Sequence, residues 1–157
     1  MLMALKLDQT DRQILEILQS NGKITNTQLA QEVGLSPAPT LERVRKLENA
    51  GYILSYHAEV DKQKLGLGVC IFIQISLSMH KKNQIKSFVD KINAIPEIVE
   101  CHHITGAGDF LLKVLVKDIP SYQSFLLEKL VDIEEIGNMQ SLVVLSSFKE
   151  SKVMPIP

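Results

Sequence analysis

The segment Gly106-Ala107-Gly108-Asp109 contains residue types suited to binding a small zwitterion. Glycines allow backbone N–H groups to approach a carboxylate closely, and the Asp109 carboxylate can meet an ammonium group. Those are the two charged groups of every free amino acid. The same residues also fit a tight turn between strands, in which Asp109 makes a local hydrogen bond. Taken by itself, the pattern favours the tight turn.

Cys101, His102 and His103 are adjacent residues of metal-binding types. Neighbouring side chains on a strand point to opposite faces, so His102 and His103 cannot converge on one ion without distortion. Cys101 and His103 share a face, but two ligands make an incomplete site. We therefore predict no metal and no cofactor. We also find no nucleophile–base pattern, no phosphate-binding loop and no paired carboxylates in a plausible cleft, and expect no catalytic activity.

Residues 36–51, SPAPTLERVRKLENAG, are predicted to form a helix with both ends specified. Ser36 can cap the first turn, Pro37 fits the first helical position, and Gly51 supplies a left-handed stop. The predicted apolar stripe is Leu41, Val44 and Leu47, and the residues predicted opposite it are Ala38, Pro39, Glu42, Arg43 and Lys46. A small first turn followed by cations suits a helix entering a DNA major groove N-terminus first. A solvated amphipathic helix is the simpler alternative.

Two shorter helices are predicted before it. Asp8 caps the first, and Thr25 opens the second with a Thr/Gln capping box. Residues 34–36 then join the second and third helices in a helix-turn-helix pattern, which trihelical bundles that do not bind DNA also share. After Gly51, residues 52–61 are predicted to form a short strand, either a wing or a connector.

The length, composition and net charge of the chain restrict the class of protein to which it can belong. Its 157 residues, 45% hydrophobic, allow one medium domain or two small ones, and no apolar run approaches the roughly 20 residues that span a bilayer. The start has no apolar run of signal-peptide length, and two cysteines without CxxC spacing favour a cytoplasmic protein with reduced thiols. The net charge of −1 restricts any electrostatic footprint on nucleic acid to Arg43, Arg45 and Lys46.

The second half predicts an antiparallel sheet with helices on one face. Strands are predicted at residues 69–78, 98–105, 110–117 and 141–148, with helices around 85–92 and from Pro120. The order βαββαβ is the ferredoxin-like plan. One sheet face stays bare, which implies a partner chain, and the candidate residues for it are Cys70, Phe72, Leu111, Leu115, Val143 and Leu145. Residues 151–157 are predicted to be a loose tail.

Two of these motifs resemble a known family. Residues 7–53, from LDQTDRQIL to KLENAGYI, look like the N-terminal signature of the Lrp/AsnC (feast/famine) transcription regulators, and ITGAGDFLLKV resembles the turn and strand of their effector domain. The resemblance implies an α+β chain: a winged helix-turn-helix DNA-binding domain at 1–60, a linker at 61–68, and a ferredoxin-like effector and oligomerisation domain at 69–157. It implies a homodimer that assembles into an octamer or similar ring and responds to an amino acid or a related small metabolite.

The resemblance also implies site residues. Those expected to bind double-stranded DNA are Thr25, Thr27, Ser36, Ala38, Pro39, Thr40, Glu42, Arg43, Arg45 and Lys46. Those expected to bind the effector are Gly106, Ala107, Gly108 and Asp109, with Asn138, Met139, Gln140 and Ser141 completing a neighbouring subunit's pocket. Family members often have a basic residue where this chain has Glu42. Glu42 could accept from a cytosine amino group or pair with Lys46, and we expect the pairing.

Two other functions share parts of this pattern. Certain tetrapyrrole decarboxylases look similar in this two-domain plan, and they need basic and histidine side chains gathered to hold propionates, for which this chain offers His57, His102 and His103. A metabolite-sensing scaffold whose helical bundle binds protein is the third possibility. The DNA-binding regulator is the leading hypothesis.

Overall fold

A computed structural model describes residues 6–79 and 82–157, which form two compact units. The first unit contains the described residues up to Val60 together with Lys149–Pro157, and the second is Asp61–Phe148. The helices of the first unit are α1 (Gln9–Ser20), α2 (Asn26–Glu32) and α3 (Pro37–Asn49). The elements of the second unit are β1 (Val69–Leu77), α4 (Lys82–Asn93), β2 (Ile98–His103), β3 (Phe110–Val116), α5 (Ile119–Phe125), a π-helical turn (Leu126–Leu130) and β4 (Ile136–Val143). No helix within the described ranges is long and apolar enough to cross a membrane.

The predicted caps of the first two helices are confirmed. The Asp8 carboxylate accepts from the backbone N–H of Asp11 at 2.8 Å, and Asp11 accepts from the N–H of Asp8 at 3.2 Å. Thr25 and Gln28 form the same reciprocal pair. The φ angles of Gly34 and Gly51 are 70° and 75°, a left-handed conformation that favours glycine after a helix. Short-range chemistry therefore determines where these helices begin and end.

The first unit has a small apolar core to which the C-terminal segment contributes. The buried core residues are Ile14, Leu15, Leu29 and Leu47. Ile156 packs against this cluster, and the Gln19 side-chain amide makes two hydrogen bonds to the backbone of Met154, at 2.7 and 3.1 Å. The prediction of a loose tail is therefore wrong, because an apolar side chain and a paired amide hold this segment on α1.

The second unit has the predicted βαββαβ order in one antiparallel sheet. Its strand order is β2-β3-β1-β4, so β1 lies between β3 and β4. Alternate residues of β1 and β3 pack against α4, α5 and the π-helical turn. The most deeply buried of these are Ile71, Ile73, Ile75, Leu112, Val114, Phe88 and Leu130. The α+β fold class is confirmed.

The last strand lies earlier than predicted. β4 is Ile136–Val143, whereas the apolar run predicted a strand at 141–148, because Asn138 and Gln140 are polar yet pair fully with β1. Directly opposite residues of antiparallel strands share a face. Val143 lies opposite Ile71 and therefore on the helix side, so its predicted place on the bare face is wrong, and Leu145 lies beyond β4.

Two connecting segments also differ from prediction. Residues 52–61 form neither helix nor strand, since a strand needs a partner strand, and no strand within residues 6–79 and 82–157 pairs with this segment. Residues 61–68, predicted to be a linker, belong to the second unit. They form a compact turn in which the N–H of Leu67 donates to the carbonyl of Lys62 at 2.8 Å.

Glu135 connects three elements of the second unit beside the start of β4. Its carboxylate accepts from the Lys91 ammonium at 2.7 and 2.9 Å and from the Ser87 hydroxyl at 2.6 Å, both on α4. Its carbonyl accepts from the N–H of Ser78 after β1 at 2.9 Å. The Lys91 contact, followed by that of Ser87, lowers the pKa of Glu135 from 4.5 to about 2.

This network predicts a specific pH dependence of stability. Because the pKa of Glu135 is lower in the folded chain, its contribution is complete above about pH 4.5 and is lost as the pH falls towards 2. Thermal unfolding followed by circular dichroism should show a decreasing Tm over that range in the unmodified chain and a flatter profile in Glu135→Gln. Glu128→Gln, on the exposed side of the π-helical turn, is the matched control. Identical profiles for Glu135→Gln and the unmodified chain would contradict this role.

Candidate DNA-binding surface and effector turn

The buried side of α3 is rotated from the predicted stripe. Thr40, Arg43, Val44 and Leu47, spaced i, i+3, i+4 and i+7, face the first unit's interior or are half-buried, whereas Leu41 is 39% exposed. The predicted stripe is wrong at Leu41 because two polar residues, rather than Leu41, occupy the buried side. These two residues, Thr40 and Arg43, both have hydrogen-bond partners within the first unit.

Thr40 is completely buried, and its hydroxyl donates to the carbonyl of Ser36 at 2.9 Å. Its predicted contact with DNA is therefore wrong, because a side chain without exposed surface cannot reach a ligand. Ser36 occupies the predicted N-cap position of α3, but its side chain makes no capping hydrogen bond. The α2 residue Asn26 instead donates to the carbonyl of Pro37 at 2.8 Å and ties α2 to the start of α3.

Arg43 lies on the inner side of α3. Its guanidinium Nη1 donates to Asp8 Oδ2 at 2.7 Å and to Asp11 Oδ1 at 2.6 Å. The Asp11 side chain is only 4% exposed. The backbone N–H of Asp11, followed by Arg43, lowers the pKa of Asp8. The prediction that Arg43 is a free cation opposite the packing face is therefore wrong, because the cation compensates two carboxylates at the start of α1.

The remaining predicted DNA-binding residues are accessible. Ala38, Glu42, Arg45 and Lys46 are exposed on α3, Thr27 is exposed on α2, Ser36 and Thr25 are exposed just before their helices, and Pro39 is half-buried. The expected ion pair between Glu42 and Lys46 is absent from the described residues. Arg45 and Lys46 form no ion pair within the same ranges, so they are the cations that α3 offers to a ligand.

The turn 106–109 is held against β1. The φ angle of Gly106 is 123°, and a Cβ at Gly108 would lie 2.6 Å from the Cγ of Gln74, so both positions require glycine. The Asp109 carboxylate accepts from the N–H of Leu77 at 2.8 Å, and its own N–H donates to the carbonyl of Ile75 at 2.8 Å. Asp109 therefore has a structural role, but its side chain joins the turn to the end of β1 and does not make the local hydrogen bond that the tight-turn interpretation predicts.

The predicted effector residues of β4 divide between the two faces of the sheet. Asn138 lies opposite Ser76 and Gln140 opposite Gln74, on the face without helices. Met139 packs against the core beneath the helices, and the Ser141 hydroxyl bonds the Tyr122 hydroxyl of α5. The side chains of these four residues therefore do not share one face, because consecutive residues of a strand alternate in direction, and only Asn138 and Gln140 lie on the face of Ser76 and Gln74.

The face without helices has a polar end beside the turn. We call Gln74, Ser76, Asn138 and Gln140 the polar end of this open face. The Ser76 hydroxyl donates to the carbonyl of Ala107 at 3.3 Å, and Gln74 touches Gly108. Gln74 and Ser76 were absent from the sequence-based site. The signal that indicates them is their position as polar residues inside an otherwise apolar strand.

The histidine pair does not form a joint site. The His103 ring lies 5.1 Å from the Phe110 ring on the helix side, whereas the His102 Nε2 lies 3.2 Å from Glu100 on the open face. These two rings therefore cannot gather around one propionate, as the tetrapyrrole alternative requires. Burial raises the pKa of the Cys101 thiol. Within residues 6–79 and 82–157, no group of three or more His, Cys, Asp or Glu residues could hold a metal ion.

Comparisons with known proteins match both units. A family model of winged helix-turn-helix DNA-binding domains matches residues 7–53, and the model of the Lrp/AsnC ligand-binding domain matches residues 70–154. The chain is 36% identical to the transcriptional regulator AzlB of Bacillus subtilis, over 98% of each chain. It is 37% identical to the leucine-responsive regulatory protein of Escherichia coli, over 96% of this chain and 92% of that one.

A solved structure shows the same arrangement of elements. The crystal structure of a Neisseria meningitidis transcriptional regulator in complex with L-Met matches with a TM-score of 0.92 and 34% identity, covering 96% of this chain and 97% of the other. The chain therefore belongs to the Lrp/AsnC family of transcriptional regulators.

Proposed function

We propose that the exposed side of α3 is the part of this regulator that enters the DNA major groove, and that the protein acts in the cytoplasm as a non-catalytic homo-oligomer controlled by an amino acid. The observation that supports the DNA contact is the distribution of side chains on α3. Ala38 leaves the first exposed turn small enough for close approach, and Arg45 and Lys46 follow on exposed positions. Cations there can contact phosphates while the first turn reaches base edges.

The two cations give the DNA contact a measurable salt signature. Arg45→Gln and Lys46→Gln should each weaken DNA binding, and each should reduce the log–log salt slope by about 0.9 for every phosphate that the variant no longer neutralises. Fluorescence anisotropy on a duplex enriched from a random library, at several salt concentrations, measures both quantities. Lys129→Gln in the second unit is the matched control. Unchanged slopes in both α3 variants would place the DNA-binding surface elsewhere.

The open face of the sheet supports self-association. Its apolar part contains Cys70, Phe72, Leu111, Leu115 and Leu142, which no helix of the described chain covers. Leu142 is 46% exposed. An uncovered, largely apolar sheet face of this kind marks an interaction site, and the Lys113–Glu100 ion pair lies on it opposite Phe72. A second copy of the chain, presenting the same face, would cover it in a two-fold dimer and bring two α3 helices to one DNA site. The further assembly into an octamer or similar ring remains part of the proposal.

The dimer proposal predicts the effect of a buried charge. Phe72→Asp places a carboxylate at the centre of the proposed interface, so sedimentation velocity should show monomers at concentrations where the unmodified chain is a dimer or larger. Leu127→Asp adds the same charge at an exposed position on the π-helical turn and should leave assembly unchanged. Dimers of unchanged affinity in Phe72→Asp would exclude this face as the interface.

The turn 106–109 and the adjoining polar end are the proposed effector site. Gly106 and Ala107 are exposed in this turn, and the polar end supplies amide and hydroxyl groups beside them. The related regulator of Neisseria meningitidis was crystallised with L-Met, which supports an amino-acid effector for this chain as well. Asp109 can contribute a carboxylate oxygen to the effector's ammonium group while Oδ2 holds the N–H of Leu77.

An isosteric substitution separates these two roles of Asp109. Asp109→Asn keeps an acceptor for the N–H of Leu77 but removes the charge, so the fold should persist while amino-acid affinity falls by about tenfold or more, corresponding to about 1.5–3 kcal/mol for a charged hydrogen bond. Isothermal titration calorimetry with a panel of amino acids measures this decrease. Asp90→Asn on α4 is the control. Equal affinity in Asp109→Asn would leave Asp109 with its turn role alone.

A further inference from the structure

Arg43 occupies a distinctive place in the first unit. It lies between Glu42 and Val44 on α3, yet its side chain is directed to the start of α1, where one nitrogen donates to Asp8 and to Asp11. Asp11 is 3% exposed and also accepts from the N–H of Asp8, so its carboxylate is held in place before Arg43 binds it. The guanidinium therefore meets a rigid acceptor pair.

The other contacts between α1 and α3 restrict α3 less strongly. Leu47 and Val44 pack with Ile14 and its neighbours in the apolar core. Apolar contacts are non-directional and tolerate small rotations and shifts, whereas charge-assisted hydrogen bonds fix both distance and angle. The Arg43 hydrogen bonds are therefore the directional contacts by which α1 fixes the rotation of α3 about its own axis, in addition to the Asn26 hydrogen bond at the start of α3. That rotation decides where Ala38, Arg45 and Lys46 point.

We propose that Arg43 is a positioning residue for DNA recognition: together with Asp8 and Asp11 it orients α3, and it does not itself contact DNA. This inference rests on the proposed DNA contacts of α3. It assigns the two acidic residues to DNA recognition as well, although a carboxylate near DNA repels phosphates. Positioning and simple electrostatics therefore predict opposite results when either acid is neutralised.

The decisive variants are Asp8→Asn and Asp11→Asn. Asparagine is as good a helix cap as aspartate, so Asp8→Asn keeps the acceptor for the N–H of Asp11 while its amide replaces the oxygen that binds Arg43. Removing a negative charge would strengthen DNA binding if only long-range electrostatics mattered. Removing the orienting hydrogen bond should instead weaken specific binding. Glu16→Gln, an exposed acid on the same helix, is the matched control.

The measurement distinguishes an effect of each substitution on the orientation of α3 from an effect on protein stability and from the loss of a phosphate contact. Anisotropy titrations use a duplex enriched from a random library by the unmodified protein and a scrambled duplex of equal length. In Asp8→Asn, Asp11→Asn and Arg43→Lys we expect affinity for the enriched duplex to fall by about fivefold or more, the lower end of the cost of removing one base contact. Affinity for the scrambled duplex and the salt slope should stay unchanged. Arg43→Lys, which keeps the cation, should retain more specific binding than Arg43→Ala.

Several outcomes would overturn the proposal. Equal or tighter binding of the enriched duplex by Asp8→Asn and Asp11→Asn would show that Asp8 and Asp11 affect DNA binding only through their charge. A salt slope reduced by about 0.9 per subunit in Arg43→Ala would show a direct phosphate contact. A proportional decrease on both duplexes, together with a lower active fraction in stoichiometric titration, would show a stability effect only. If the unmodified protein enriches no sequence at all, the proposed DNA contacts fail first, and the orienting role fails with them.

Discussion

The second unit depends on the alternation of side chains along β1. As an inner strand with partners on both sides, β1 sends Ile71, Ile73 and Ile75 into the core and its intervening residues to the open face. A shift of one residue would exchange the two faces and expose the core. The same register places Asn138 beside Ser76 and brings the N–H of Leu77 to Asp109. The dimer surface and the effector site that we propose are thus consequences of one strand register.

In the first unit, polar side chains on the inner side of α3 contribute to the orientation of this helix. The apolar pattern of α3 predicts that Leu41 is buried, but Leu41 is exposed, whereas Thr40 is buried and Arg43 is half-buried. Burial of these groups is tolerable only because each has a partner, the Ser36 carbonyl for one and two carboxylates for the other. A hydrophobic pattern contains no information about such pairs, since Asp8 and Asp11 lie in a different helix. The orientation of α3 therefore could not be predicted from its own residues.

The features that could be predicted are those determined by neighbours in sequence. The Asp8 and Thr25 caps, the left-handed glycines and the alternation of β1 all depend on residues a few positions apart, and each was predictable. The extent of β4 depends on pairing with a distant strand, which compensates for its polar residues. The place of the C-terminal segment likewise depends on Gln19, far away in the chain. At the candidate site, the turn was identifiable from its glycines, whereas Gln74 and Ser76 required the strand register.

The small number of available cations on α3 explains why assembly and DNA binding should be coupled. With Arg43 occupied internally, Arg45 and Lys46 leave each copy of the helix few phosphate contacts, so a single copy should bind weakly. Joining copies makes each further contact intramolecular and raises the overall affinity without any new contact. An effector that favours one assembly then changes DNA affinity in proportion to its preference for that assembly. Under this proposal, an amino acid bound at the turn 106–109 needs no direct contact with α3 to control DNA binding.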